Sequence, residues 1–260
     1  MVQGQILTKL LRTQTMFRKL RCLVMCAFFL NLRFVQSLNR AISVAPMFEP
    51  EIHGITGLVT SILNAPRQGQ RRVVAIVGPP GSGKSTIAKA LVPLIAQAGG
   101  LAQVVPMDGF HLDNSILLER NLIDVKGSPC TFDVGGFAKL ISRLSNEPEI
   151  IFPKFDRDKD LAIAGAGFVS EDCDLVLVEG NYLLLDAPFW CDLSKYWDFS
   201  VFLDVEPKLL RERLIQRWLD QGLSSNQAKK RVKDNDLVNV ETVVSGSKVA
   251  DLKFVNSSLA

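Results

Sequence analysis

The run Arg72-Val73-Val74-Ala75-Ile76-Val77, followed by Gly78-Pro79-Pro80-Gly81-Ser82-Gly83-Lys84-Ser85, decides the reading of this chain. The first stretch is apolar after its arginine and is bounded by glycine and proline, as a buried strand would be. The second matches G-x-x-x-x-G-K-[ST]. Glycines are required there because backbone N–H groups must turn inward around a polyphosphate. That takes positive φ angles and a close approach that a Cβ would obstruct. Lys84 adds a point charge for the outer phosphates and Ser85 a hydroxyl for Mg²⁺. With Thr86 they open a helix whose positive end faces the same anion. Gly78, Pro79, Pro80, Gly81, Ser82, Gly83, Lys84, Ser85 and Thr86 are therefore the expected nucleotide-binding residues, for ATP or GTP. A plain glycine turn before a helix is the bland alternative, and the flanking strand and helix argue against it.

Outward from this point, strand and helix signals alternate. Upstream, residues 55–63 read as a short helix, joined to the strand by a polar linker with Pro66 and Gly69. Downstream, residues 84–98 read as a helix stopped by Gly99-Gly100. Residues 102–106 are a strand with Met107-Asp108-Gly109-Phe110-His111 at its carboxyl end. A turn and helix are expected over 132–144, a short strand and loop over 150–155, and largely apolar strands over 174–178 and 199–205. Helices over 207–219 and 224–233 and a last strand over 250–255 complete the pattern. Alternating βα units with apolar strands imply a mostly parallel sheet covered on both faces, the three-layer α/β/α arrangement of a P-loop NTPase. Ligands of such sheets gather beyond the carboxyl ends of the strands.

Composition sets the outer limits. At 260 residues and 47% hydrophobic content the chain can bury a substantial core. Of the formal net charge of +3, seven cations and no acid lie in the first 48 residues, so the rest carries −4. A mildly acidic body argues against nucleic acid as partner. Five cysteines, at 22, 26, 130, 173 and 191, form no C-x-x-C pair and no zinc set, which fits a reducing, cytoplasmic setting. Cys173, just before an apolar strand, reads as a buried structural thiol. Residues 1–46 form a basic, acid-free extension ahead of a domain over 47–260. The apolar run Cys22 to Leu30 is too short to span a bilayer. Either translation begins at Met47 or the extension is an organellar transit peptide.

The rule of strand ends brings further groups near the phosphates. Asp108 follows one strand, and Glu179 follows Leu175-Val176-Leu177-Val178, as the acid of a Walker B strand does. Arg213 and Arg217 lie four apart on one helix face, suited to a helical lid closing on the outermost phosphate. Phosphoryl transfer needs such a set: charge neutralisation, a metal, and a carboxylate to accept the acceptor's hydroxyl proton. Each has a bland counterpart. Asp108 could serve an Asx turn, Glu179 a structural role, and the arginines a solvated face.

Together the P-loop, Pro106-Met107-Asp108-Gly109-Phe110-His111, Thr131-Phe132-Asp133, Pro153-Lys154-Phe155-Asp156 and Val178-Glu179-Gly180-Asn181-Tyr182-Leu183-Leu184 resemble the phosphoribulokinase, uridine kinase and bacterial pantothenate kinase superfamily. The resemblance spans about residues 70 to 256. Within it, the chain looks most like bacterial nucleoside/nucleotide kinase family proteins of the fructose-transport-system kinase kind. It implies that Asp108 is the catalytic base, that Asp133 meets sugar hydroxyls, and that Phe155 and Asp156 line the acceptor pocket. His111 stands beside them as either a structural ring or a catalytic one. Arg157 is a candidate for an anionic group on the acceptor or for a plain surface role. Asp133 has the alternative of capping the helix after it. Where uridine kinases carry histidine and arginine after P-x-Y-D, this chain has Arg157-Asp158-Lys159-Asp160-Leu161-Ala162-Ile163, which speaks against a pyrimidine pocket.

The expectation is thus a kinase using ATP and Mg²⁺ that phosphorylates a hydroxyl of a small metabolite: a sugar, polyol or nucleoside-like compound. Lys84, Asp108, Arg213 and Arg217 would be the catalytic set, and Ser85 with Glu179 the metal set. His111, Asp133, Phe155, Asp156 and Arg157, with Asp108, would form the substrate set. The competing reading is a regulatory or coupling ATPase without a small-molecule acceptor. A GTPase lacks support, since no N-K-x-D base-reading motif is present. Kinases of this family often form dimers or tetramers, so a homodimer is implied by the resemblance.

Overall fold

The computed structural model describes residues 51–52 and 54–255; the expected extension over 1–46 lies outside the described residues. Among the described residues, six strands form one parallel sheet in the order β1-β8-β7-β2-β6-β3. They are β1 (Glu51–Ile52), β2 (Arg72–Val77), β3 (Ala102–Pro106), β6 (Leu175–Gly180), β7 (Phe199–Asp204) and β8 (Leu252–Val255). The helices are α1 (Ile55–Asn64), α2 (Lys84–Gln97), α3 (Asn114–Glu119), α4 (Val134–Leu144), α5 (Pro207–Asp220), α6 (Ser225–Arg231) and α7 (Leu237–Gly246).

The central strands show why near-continuous apolar runs suit this position. Val73, Ala75 and Val77 of β2, with Val176 and Val178 of β6, enter one core cluster with Phe137, Leu140, Ile141 and Leu144 of α4. The alternate residues Val74, Ile76, Leu175 and Leu177 enter the other, against Leu58 and Ile62 of α1 and Ile87, Leu91 and Ile95 of α2. With side chains alternating across the sheet, both faces must be apolar when both are covered. The result is the three-layer α/β/α fold of a P-loop NTPase.

Arg71, just before β2, is fully buried and joins elements distant in sequence. Its guanidinium donates to the carbonyls of Leu144 at 3.2 Å and Ser170 at 3.0 Å, and to those of Glu147 and Pro148. Cys173 is the buried thiol expected: its Sγ donates to the Leu175 carbonyl at 3.2 Å, and burial raises its pKa.

Besides the short β1 and α3, which the sequence reading did not include, three features depart from expectation. β4 (Ile150–Asp156) does not enter the main sheet but forms an antiparallel hairpin with β5 (Leu161–Val169), a strand that was not expected. The helix expected over 224–233 is shorter. Ser224 and Gln227 close a capping box at its start, and after Arg231 the chain passes through a π turn, Val232–Asp236, into α7, which was also not expected. Finally, Glu179 lies within β6 rather than after it. Among the described residues, no helix is long and apolar enough to cross a membrane.

Candidate active site

β2 delivers the chain into the loop Gly78–Gly83, and α2 leaves it. Gly81 and Gly83 have φ of 81° and 87°, the conformation for which the motif needs glycine. The Lys84 side chain folds back over the loop, with Nζ donating to the Pro79 carbonyl at 3.0 Å and the Ser82 hydroxyl at 3.4 Å. Burial lowers its pKa to about 8, against the opposing pull of Glu179 and Asp108. A buried ammonium bonded to neutral oxygens, at the mouth of a positive-φ loop, fits a polyphosphate. Thr86 is exposed on the first turn of α2.

Ser85 Oγ donates to Glu179 Oε1 at 3.0 Å. Glu179 is 6% exposed, and burial with the nearby Asp108 charge raises its pKa, while Lys84 and Ser85 oppose the rise. Two protein oxygens at a phosphate loop are a donor set that suits Mg²⁺, which Ser85 and Glu179 would hold.

At the neighbouring strand end, the 3₁₀ turn Met107–Phe110 carries Asp108. The turn presses so closely on β4 that a Cβ on Gly109 would run into the Pro153 carbonyl. Arg157 Nη2 donates to Asp108 Oδ2 at 2.7 Å. His111 is held between two aromatic rings, with centroids 4.1 Å from Phe132 and 4.6 Å from Phe155. Its Nδ1 lies 2.8 Å from the Asp108 carbonyl, so that nitrogen carries the hydrogen and donates. Burial lowers its pKa, which keeps the ring neutral. The arrangement favours the structural alternative for His111.

Two acids expected on the acceptor side make local bonds. Asp133 is exposed and caps α4, its Oδ1 accepting from the Gly136 N–H at 2.9 Å. Asp156 Oδ1 accepts from the N–H groups of Asp158 and Lys159, each at 3.1 Å, and Lys159 Nζ lies 3.2 Å from Oδ2. These bonds order the β4–β5 turn and lower the Asp156 pKa. Phe155, by contrast, faces both His111 and a residue the sequence reading missed. Lys126 Nζ lies 5.2 Å from the Phe155 ring centroid, 2.7 Å from Asn114 Oδ1 and 2.8 Å from Asp160 Oδ1. No motif marks Lys126, which stands between short 3₁₀ turns.

The arginine helix lies against the loop. A Cβ on Gly81 would meet Leu214 Cγ at 3.2 Å, and Arg213 Nη1 donates to the Gly81 carbonyl at 3.4 Å. Arg217 is half-buried, and its pKa is lowered by burial and by Arg157, with Asp108 and Asp236 opposing. Trp218 next to it donates from Nε1 to Asp236 Oδ2 at 2.6 Å and has the Arg231 guanidinium 5.3 Å from its ring. The preceding residue of the π turn, Asn235, donates to the Lys126 carbonyl at 3.0 Å. The π turn therefore bonds to the arginine helix on one side and to the Lys126 loop on the other. Such turns often occur at functional sites.

No known protein-family profile matches the chain. A protein from Silicibacter sp. TM1040, provisionally named a fructose transport system kinase, is 45% identical in its crystal structure. The match has a TM-score of 0.75 and covers 78% of this chain and 99% of that one. The uncharacterised protein YggC of Escherichia coli K12 is 39% identical over 208 residues, 78% of this chain and 84% of its own. A Schizosaccharomyces pombe protein, C227.14, provisionally named a uridine kinase, is 29% identical over 216 residues, 78% of this chain and 91% of its own. With its phosphate loop, sheet order and these relatives together, the chain belongs to the P-loop kinase superfamily of uridine kinases, pantothenate kinases and phosphoribulokinases, and is an ATP-dependent small-molecule kinase.

Proposed function

We propose that the protein transfers the terminal phosphoryl group of ATP to a hydroxyl of a sugar, polyol or nucleoside-like metabolite, with Asp108 as base. The observation that carries this reading is the position of Asp108. It lies within electrostatic reach of Lys84, Glu179 and Arg217 at the carboxyl edge of the sheet. A carboxylate there can take the acceptor's proton as the oxygen–phosphorus bond forms. Lys84, Arg213 and Arg217 spread their charge over the phosphates, and Ser85 with Glu179 hold Mg²⁺, which when bound neutralises and orients the transferring group. On the acceptor side, Phe155 and His111 pack together as an aromatic wall, and Lys126 and Arg157 supply cations. The provisional names of the relatives, a fructose transport system kinase and a uridine kinase, favour a sugar or nucleoside-like hydroxyl compound.

The test is ATP consumption, with product identified by mass, over a panel of sugars, polyols, nucleosides, sugar acids and sugar phosphates. The reading expects at least one compound to raise turnover well above the rate in water alone. If none does, the acceptor lies outside these classes and the proposal fails.

A further inference from the structure

Resting on that reading, we infer that Arg157 restrains the base until the acceptor arrives, and that the acceptor therefore carries an anionic group, carboxylate or phosphate, beside its reacting hydroxyl. The geometry comes first. Arg157 Nη2 lies 2.7 Å from Asp108 Oδ2, where the acceptor hydroxyl would have to donate. A carboxylate oxygen already held by a guanidinium is a poorer proton acceptor, and the side chain fills part of the space the acceptor needs.

The surroundings make this contact easy to exchange. The Arg157 side chain is 48% exposed and that of Asp108 23%, so water competes for the pair and its net strength is small. Arg157 also sits among like charges, since it acts on both Lys84 and Arg217. A second anion entering the site would gain from all three cations. Only the side chain has to move, because the turn that carries it is fixed. Asp156 holds the N–H groups of Asp158 and Lys159, while Asp160 accepts from Asn114 at 2.8 Å and pairs with Lys126 at 2.8 Å. An uncharged polyol offers the guanidinium no better partner than Asp108. An anionic acceptor does, and in taking Arg157 it frees the carboxylate at the moment its hydroxyl arrives.

The restraint has a second use. With ATP bound and no acceptor, a water could give its proton to Asp108 while its oxygen bonds to the terminal phosphorus and the bridge to ADP breaks, wasting ATP as ADP and phosphate. Pairing with Arg157 holds that reaction down.

The experiment measures ATP hydrolysis without acceptor, then turnover with matched sets of polyols, aldonic acids and sugar phosphates. Arg157→Ala should raise acceptor-free hydrolysis by about fivefold to tenfold, a small part of what a free general base contributes. Arg157→Lys, which keeps a cation near Asp108, should raise hydrolysis less than Arg157→Ala does, and Asp108→Asn added to Arg157→Ala should abolish the rise. Unmodified enzyme should prefer an acid or a phosphate over the matching polyol, and Arg157→Ala should lose that preference; which anionic set is taken identifies the group. Unchanged or lower hydrolysis in Arg157→Ala, or equal use of a polyol and its acid by the unmodified enzyme, overturns the inference. A rise in Arg157→Ala with no compound accepted keeps the restraint on Asp108 and overturns the proposed acceptor classes.

Discussion

The two halves of the site are built from different materials. The donor half, Gly78 to Ser85, is a turn of backbone with one buried lysine, contiguous in sequence and rooted in the central strand. The acceptor half, on the proposed reading, is an assembly of side chains from the 3₁₀ turn, the Lys126 loop, the hairpin tip and the π turn, tied by ion pairs open to water on one side. A polyphosphate is the same in every kinase and can be met by fixed N–H groups. An acceptor differs from enzyme to enzyme, and side chains on loops can be exchanged without disturbing the fold. On that reading the difference teaches that the donor half specifies the reaction and the acceptor half its object.

That contrast can be broken by substitution. The largest effect should come from Asp108→Asn, which on the proposed reading lowers kcat by about a hundredfold to ten-thousandfold while nucleotide affinity stays within about twofold. Equal loss of nucleotide affinity, measured by titration calorimetry, would put Asp108 in the donor half. Lys84→Ala should do the opposite, weakening nucleotide binding by about tenfold to a hundredfold, the worth of a buried charge-assisted bond. A pH series sharpens the same point. With Lys84 lowered to about 8, its charged form is lost as pH rises past that value. Nucleotide affinity should therefore fall, approaching about tenfold per unit above pH 8, and the break should vanish in Lys84→Ala. The smallest effect belongs to the acceptor half. Tyr182 donates to the Gly127 carbonyl at 2.6 Å, next to Lys126. Tyr182→Phe should cost about 1 kcal/mol of stability and raise acceptor KM a few fold, with nucleotide affinity unchanged.

The same contrast explains what could be read in advance. β2, β3 and α2 were legible because each has a one-dimensional signal: an apolar run, a glycine loop, a glycine stop. Asp108 and Glu179 were legible as acids at strand ends, although Glu179 proved to lie inside β6. β5 was not, since Leu161-Ala162-Ile163-Ala164-Gly165-Ala166-Gly167 alternates no polar with apolar residues, and its only strand partner among the described residues is β4. α7 was missed because the π turn shifts the helical phase between Arg231 and Leu237. Lys126 and the Arg157–Asp108 pair depend on how the hairpin folds back over the 3₁₀ turn, and no local pattern encodes that. Asp133 and Asp156 show how local bonding competes with a motif. Their motif pointed outward to a substrate, and short-range backbone bonding claims at least one oxygen of each.

Trp218 has a further consequence. Trp190 and Trp197 are 3% and 7% exposed and sit in the core. Trp218 is only partly buried, beside Arg217, under the Arg231 guanidinium and bonded to Asp236. The arginine helix thus carries its own fluorophore. Light emitted from that one indole should change as the helix answers to nucleotide or acceptor, so the order and speed of ligand entry can be followed in the unlabelled protein.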